Sequence, residues 1–166
     1  MTVTSVDRDV QRRTLTIAAR YSAPVERVWE VWADPRQLER WWGPPTYPAT
    51  VLDHDLVRGG RVTYYMTGPD GDRSRGWWRV IEAIAPHSLE FEDGFADADG
   101  VPDGSLPTTH TRVTLAGTAD GGTDMTVMSV FPSVAAMEKM VAMGMVEGIT
   151  AALGQVDDLL SADVSG

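Results

Sequence analysis

Few side chains in this sequence could move a proton or hold a metal, and their spacing decides what each can do. The histidines are His54, His87 and His110. Asp53-His54-Asp55 has the residue types of a metal triplet. On a strand, however, successive side chains take opposite faces, so His54 points away from both acids. One ligand on a face does not make a metal site. His87 follows Pro86 in a turn and is expected to face solvent, whereas His110 opens a strand beside a long loop and could reach a cavity mouth. Glu82 shares strand parity with Trp78, Val80 and Ile84, which places it on an inner face. There a carboxyl has a raised pKa and could act as a general acid or anchor a polar ligand group. The plainer reading is that Glu82 sits at the sheet end and pairs with an arginine or faces water. Tyr64 adds a phenol on the face shared with Val62 and Met66. The candidates for catalytic proton transfer are therefore Glu82, His110 and Tyr64.

Other constellations fall short of a site. Asp97-Ala98-Asp99-Gly100 with Asp103 imitates part of a calcium loop, but twelve positions on from Asp97 stands Thr108 instead of an acid. It reads as a solvated loop able to act as a lid. The chain has no cysteine, so thiolate catalysis, disulfides and thiolate metal sites are absent. Gly59-Gly60 is a hairpin turn rather than a phosphate cradle, and there is no nucleophile elbow. No metal and no cofactor is expected.

The apolar residues carry a stronger signal. Trp41-Trp42-Gly43-Pro44 puts two large rings beside a chain reversal, which suggests a fixed corner over apolar space. It follows a strand at 14–21 and a helix in which Val25, Val28, Trp29 and Trp32 recur at helical spacing. Asp34-Pro35 caps and starts a second short helix, and Gly43-Pro44-Pro45 ends it. Turn signals at Gly59-Gly60, Gly68-Pro69-Asp70-Gly71, Ala85-Pro86-His87-Ser88 and Ala119-Asp120-Gly121-Gly122 then divide an antiparallel meander. Ser133 is a candidate N-cap for one long final helix of about 27 residues, roughly 40 Å at 1.5 Å per residue. Its inward stripe holds Met137, Val141, Met145, Gly148 and Ala152, with Met140 and Met143 offset toward a partner subunit. Short connections leave no room for parallel crossovers, so a doubly wound fold is excluded. In Trp77-Trp78 one ring must face inward: Val80 and Ile84 favour Trp78, Ile81 and Ala83 favour Trp77.

Composition sets outer bounds. A length of 166 residues with 43% apolar positions suits one domain with a real core. The division expected is a flexible arm over 1–12 and a single domain over 13–162. A net charge of -10 argues against nucleic acid, which needs a basic stripe. No apolar run reaches the roughly 20 residues of a membrane span. The polar start does not read as a secretory signal, so a cytoplasmic location is expected.

Pro24 to Trp29, Asp34-Pro35, Leu38, Trp41-Trp42-Gly43-Pro44, Gly59-Gly60 and Gly76 through Glu82-Ile84-Pro86 form an ordered set. So do Thr109 to Leu115, Gly122-Thr123, Met125, Val127, Glu147-Gly148, Leu153 and Val156. Together they resemble the START-like superfamily (SRPBCC, Bet v-like), and within it the branch named for the activator of heat-shock protein 90 ATPase. Ile149 is a departure, since relatives commonly carry a tryptophan there. The resemblance implies an α+β helix-grip fold: a curved antiparallel sheet of about seven strands around a long C-terminal helix, two short helices after the first strand, and a cavity between sheet and helix. It implies binding of a small apolar or aromatic molecule, with polyketide cyclase/aromatase-like chemistry or chaperone-ATPase regulation through surface contacts as alternatives. On this reading Trp32, Trp42, Tyr64, Trp78, Phe91, Val113, Met137, Val141 and Met145 line the cavity. A homodimer is the expected assembly.

Overall fold

The computed structural model describes residues 3–164. Strands β1 (Val3–Asp9) and β2 (Thr14–Tyr21) precede helices α1 (Val25–Ala33) and α2 (Pro35–Trp41). Strands β3 (Ala49–His54), β4 (Arg61–Thr67), β5 (Arg73–Ile84), β6 (Ser88–Ala96), β7 (Thr109–Gly117) and β8 (Thr123–Val130) follow, then helices α3 (Val134–Ala142) and α4 (Met145–Val164). The strands form one antiparallel sheet in the order β1-β2-β8-β7-β6-β5-β4-β3. This sheet wraps the C-terminal helix, which is the helix-grip arrangement expected. It has eight strands instead of about seven, and the two short helices come after the second strand. Among the described residues no helix is long and apolar enough to cross a membrane.

Three expectations need correction. Residues 3–9, read as part of a loose arm, pair with β2 along the sheet edge. Nearly every β1 side chain is exposed, so no alternating pattern announced the strand. The final helix is two helices, because Gly144 takes φ 87° and breaks the ladder between α3 and α4. Only a residue without Cβ occupies that left-handed conformation cheaply. Lastly, the β5–β6 register shifts between Val80 and Glu82. The extra residue reverses side-chain parity, so Val80 is buried while Glu82 and Ile84 are exposed.

Local chemistry fixes the frame around the helices. Asp34 caps α2 by accepting from the Arg36 amide at 2.9 Å, and Pro35 occupies the first turn. Ser133 Oγ accepts from the Ala136 amide at 3.0 Å and starts α3. The Tyr21 hydroxyl donates to the Leu153 carbonyl at 3.2 Å, tying α4 to β2. Gln155 Nε2 donates to the carbonyls of Trp41 (3.3 Å) and Gly43 (2.7 Å), so α4 clasps the corner that follows α2. Gly43 is required there: a Cβ would collide with the Tyr47 carbonyl oxygen and approach the Ala49 amide nitrogen to 2.9 Å.

Candidate functional site

Aromatic packing builds the floor beneath α4. Trp78 is fully buried and stacks on Phe91 with centroids 4.0 Å apart and planes 13° from parallel. Trp42 meets Trp78 edge-on at 4.9 Å and Tyr64 at 6.0 Å, and Trp32 meets Trp41 at 4.7 Å. Each such pair is worth about 0.5–1.5 kcal/mol beyond its buried area. The parity question at Trp77-Trp78 is resolved: Trp78 is inward. Trp77 lies on the outer face, its Nε1 donating to the Phe95 carbonyl at 3.0 Å and its ring filling the space over Gly94. Gly76 opposite Tyr64 has a parallel purpose, since a Cβ there would clash with the tyrosine ring.

Above this floor the side chains do not fill the space. A cavity of about 300 Å³ lies between the sheet and the two C-terminal helices. Trp32, Trp42, Pro44 and Tyr64 form one wall, and Phe95, Thr111, Val127 and Ser129 contribute from the sheet. Met140, Met143, Met145, Ile149 and Leu153 close it from α3, the α3–α4 break and α4. Met143 is 56% exposed, which marks the side where the cavity meets the surface.

Of the residues expected to line the cavity, Trp32, Trp42, Tyr64 and Met145 do so. Trp78, Phe91 and Val113 are buried on the inner face but packed behind the walls instead of bordering the open space. Met137 and Val141 border a separate shallow groove with Arg8, Val10 and Val134. The break at Gly144 explains this, because it rotates the Met137 stripe of α3 out of line with α4. It also brings Met140 and Met143, read as facing a partner, to the cavity. Ile149 is part of the lining.

The proton-transfer candidates are dispersed. Tyr64 stays at the cavity, with its phenol pKa raised by burial and by the nearby Asp93 charge. The indole N–H groups of Trp42 and Trp78 lie buried beside its hydroxyl without an aligned hydrogen bond. Glu82 is exposed beyond the bulge. His110 faces the outer side of the sheet, its Nε2 2.9 Å from Glu90 Oε1, which also accepts from Arg112 at 2.9 Å. These two partners hold the Glu90 carboxyl below its usual value, His110 contributing most. His54 Nε2 lies 3.0 Å from the Trp32 carbonyl oxygen. Among the described residues, no three His, Cys, Asp or Glu side chains converge on a point where a metal could bind. The loop from Asp97 to Asp103, expected to act as a lid, does not border the cavity. Asp97 Oδ1 accepts from the amides of Asp99 (2.9 Å) and Val101 (3.0 Å), and Asp99 borders a polar hollow with Arg61 and Arg75.

One residue at the site escaped the sequence reading. Asp93 lines the cavity and accepts from the Thr111 hydroxyl at 3.3 Å. Burial among apolar walls pushes its carboxyl up to about 7, partly opposed by the Thr111 hydrogen bond. The signal was present. Leu89, Phe91 and Phe95 alternate along one strand, and the same alternation carries Asp93 onto their face.

Residues 22–161 match the family model described as Activator of Hsp90 ATPase homolog 1-like protein. A solution NMR structure of a protein from Arthrobacter aurescens is 51% identical, with a TM-score of 0.93 over 97% of this chain and 93% of that one. A crystal structure of a protein from Mycobacterium smegmatis is 49% identical, with a TM-score of 0.88 over 95% and 96% of the two chains. A Staphylococcus epidermidis protein solved by NMR is 25% identical, with a TM-score of 0.83 over 96% and 95%. No curated protein matches the chain.

Proposed function

The chain belongs to the Activator of Hsp90 ATPase homolog 1-like family, within the START-like superfamily, and from that footing we propose that its working site is the cavity. It binds a small, largely apolar or aromatic molecule without covalent chemistry. The observation that carries this reading is the unfilled space of about 300 Å³ beside a close-packed aromatic floor. Ligand pockets run from roughly 300 to 1,000 Å³, so the occupant is small. Burial at about 25 cal/mol per Å² gives roughly 5 kcal/mol for every 200 Å² of apolar ligand surface.

Native mass spectrometry of freshly purified protein, followed by denaturing extraction, tests this. A mass increment that disappears on denaturation is expected, and it is expected to shrink in Ile149→Trp, whose indole would enter the cavity. A bare chain that also fails to take up naphthalene-sized hydrocarbons would oppose the reading.

The family's name favours a second reading, in which surface contacts regulate a chaperone ATPase. The measurement is ATP hydrolysis by a purified Hsp90-type chaperone with and without this chain. Stimulation that survives Ile149→Trp would favour surface regulation over ligand carriage, and unchanged hydrolysis would remove it.

A further inference from the structure

We propose that the cavity's occupant is an amine: a compact, ring-bearing apolar body with one protonated amino group, which pairs with Asp93 against the faces of Trp42, Trp32 and Tyr64. The inference rests on the cavity being the binding site and names the chemistry of what fills it.

The cavity wall is unbalanced in charge. Among the described residues Asp93 is the one acidic side chain on the cavity wall, and no Lys, Arg or His borders the same space. Among the described residues its carboxylate takes a long 3.3 Å contact from the Thr111 hydroxyl and an interaction from its own backbone amide, whereas a carboxylate can accept about four. The other polar groups are the hydroxyls of Thr111, Ser129 and Tyr64, each able to accept from a donor. Around them stand indole and phenol rings and the thioethers of Met140 and Met145, surfaces that favour a cation over an anion. The chain's net charge of -10 also draws cations toward it.

Among the described residues the surroundings of Asp93 supply no competing cation. On β4 the facing titratable group is the Tyr64 phenol; on β5 the residue paired with Asp93 is Trp78. On β7 Thr111 faces it, while His110 and Arg112 turn to the outer side and engage Glu90. Neighbouring Glu92 lies outward with Arg79 at 3.4 Å and adds a weak repulsion. The stretches of α3 and α4 at the cavity present Met, Gly, Ile, Ala and Leu. A protonated amine entering here would meet an acceptor that the fold leaves under-satisfied.

Three probes of similar shape separate the outcomes by titration calorimetry: naphthylmethylamine, ethylnaphthalene and acetonaphthone. At about pH 8.5, where Asp93 is ionised, the amine is expected to bind roughly 10–100-fold tighter than ethylnaphthalene, the range of a charge-assisted hydrogen bond. The advantage is expected to narrow at about pH 5.5, where Asp93 holds its proton and the amine remains charged. In Asp93→Asn the amine's advantage over ethylnaphthalene is expected to vanish, with circular dichroism reporting that the variant is folded. Equal binding of amine and hydrocarbon by the wild-type protein would overturn the proposal and leave the cavity reading intact. So would tighter binding of the ketone, which takes a hydrogen bond from a protonated Asp93. If none of the three binds, both fall together.

Discussion

Asp93 ties the chemistry of the cavity to the stability of the fold. Its carboxyl titrates at about 7 when folded, against about 3.9 for an unperturbed aspartate. Between those values folding takes up a proton, so this residue's contribution falls as pH rises from about 4 to about 7 and stays unfavourable above that. Asp93→Asn removes a half-buried, desolvated charge. It is expected to stabilise the protein by roughly 2–4 kcal/mol at about pH 8 and far less at about pH 4, measured by chemical denaturation. A variant no more stable than wild type at pH 8 would mean the carboxyl is better solvated than its surroundings imply. Gln155 behaves oppositely. Its amide satisfies the carbonyls of Trp41 and Gly43, so Gln155→Ala is expected to cost about 1–3 kcal/mol. Glu82→Gln, on an exposed strand end, is expected to change stability by less than about 0.5 kcal/mol.

Among the elements, helix breaks and strand irregularities decided what reached the cavity. Gly144 and Gly154 make the contrast measurable. At Gly144 the positive φ strains any side chain, so Gly144→Ala is expected to destabilise by about 1–2 kcal/mol. Gly154 is exposed inside α4 with nothing within 4 Å of a Cβ, so Gly154→Ala is expected to stabilise by about 0.5–1 kcal/mol. Thermal denaturation of the two variants should move in opposite directions. Equal shifts would show that α3 and α4 join as one helix. The sequence made most elements legible because their periodicities were strong: the α1 stripe, the Asp34-Pro35 start, the turn signals and the inward face of β4 all follow from residue type. The α3–α4 break did not, because glycine inside an apolar helical pattern reads equally as a cost or as an end. The bulge after Val80 carried no glycine or proline to mark it, so parity alone turned Glu82 inward, whereas the plainer reading of an exposed position at the sheet end is the one observed. Strand β1 is wetted on both sides and has no apolar period to read. Trp42 and Tyr64 were legible as cavity residues because a corner and a strand face fixed them. Met137 and Val141 were misplaced because their placement depended on an unbroken helix.

For the whole molecule, the sheet and the C-terminal helices close on an aromatic floor and stop short of filling the space above it. The START-like fold explains why such a space can exist, and the small size of this one limits what it admits. Ile149→Trp is expected to weaken binding of ethylnaphthalene by at least about tenfold while leaving the fold intact, by calorimetry and circular dichroism. The most direct measurement is methyl NMR of the eight methionines during titration with ethylnaphthalene. Met140, Met143 and Met145 border the cavity, whereas Met137 borders the separate groove and Met128 does not line the cavity. Saturable shifts at Met140, Met143 and Met145, with Met128 and Met137 unmoved, are the expected result. Shifts at Met137 alone, or none at any methionine at saturating probe, would contradict the claim that this cavity is where the protein holds its ligand.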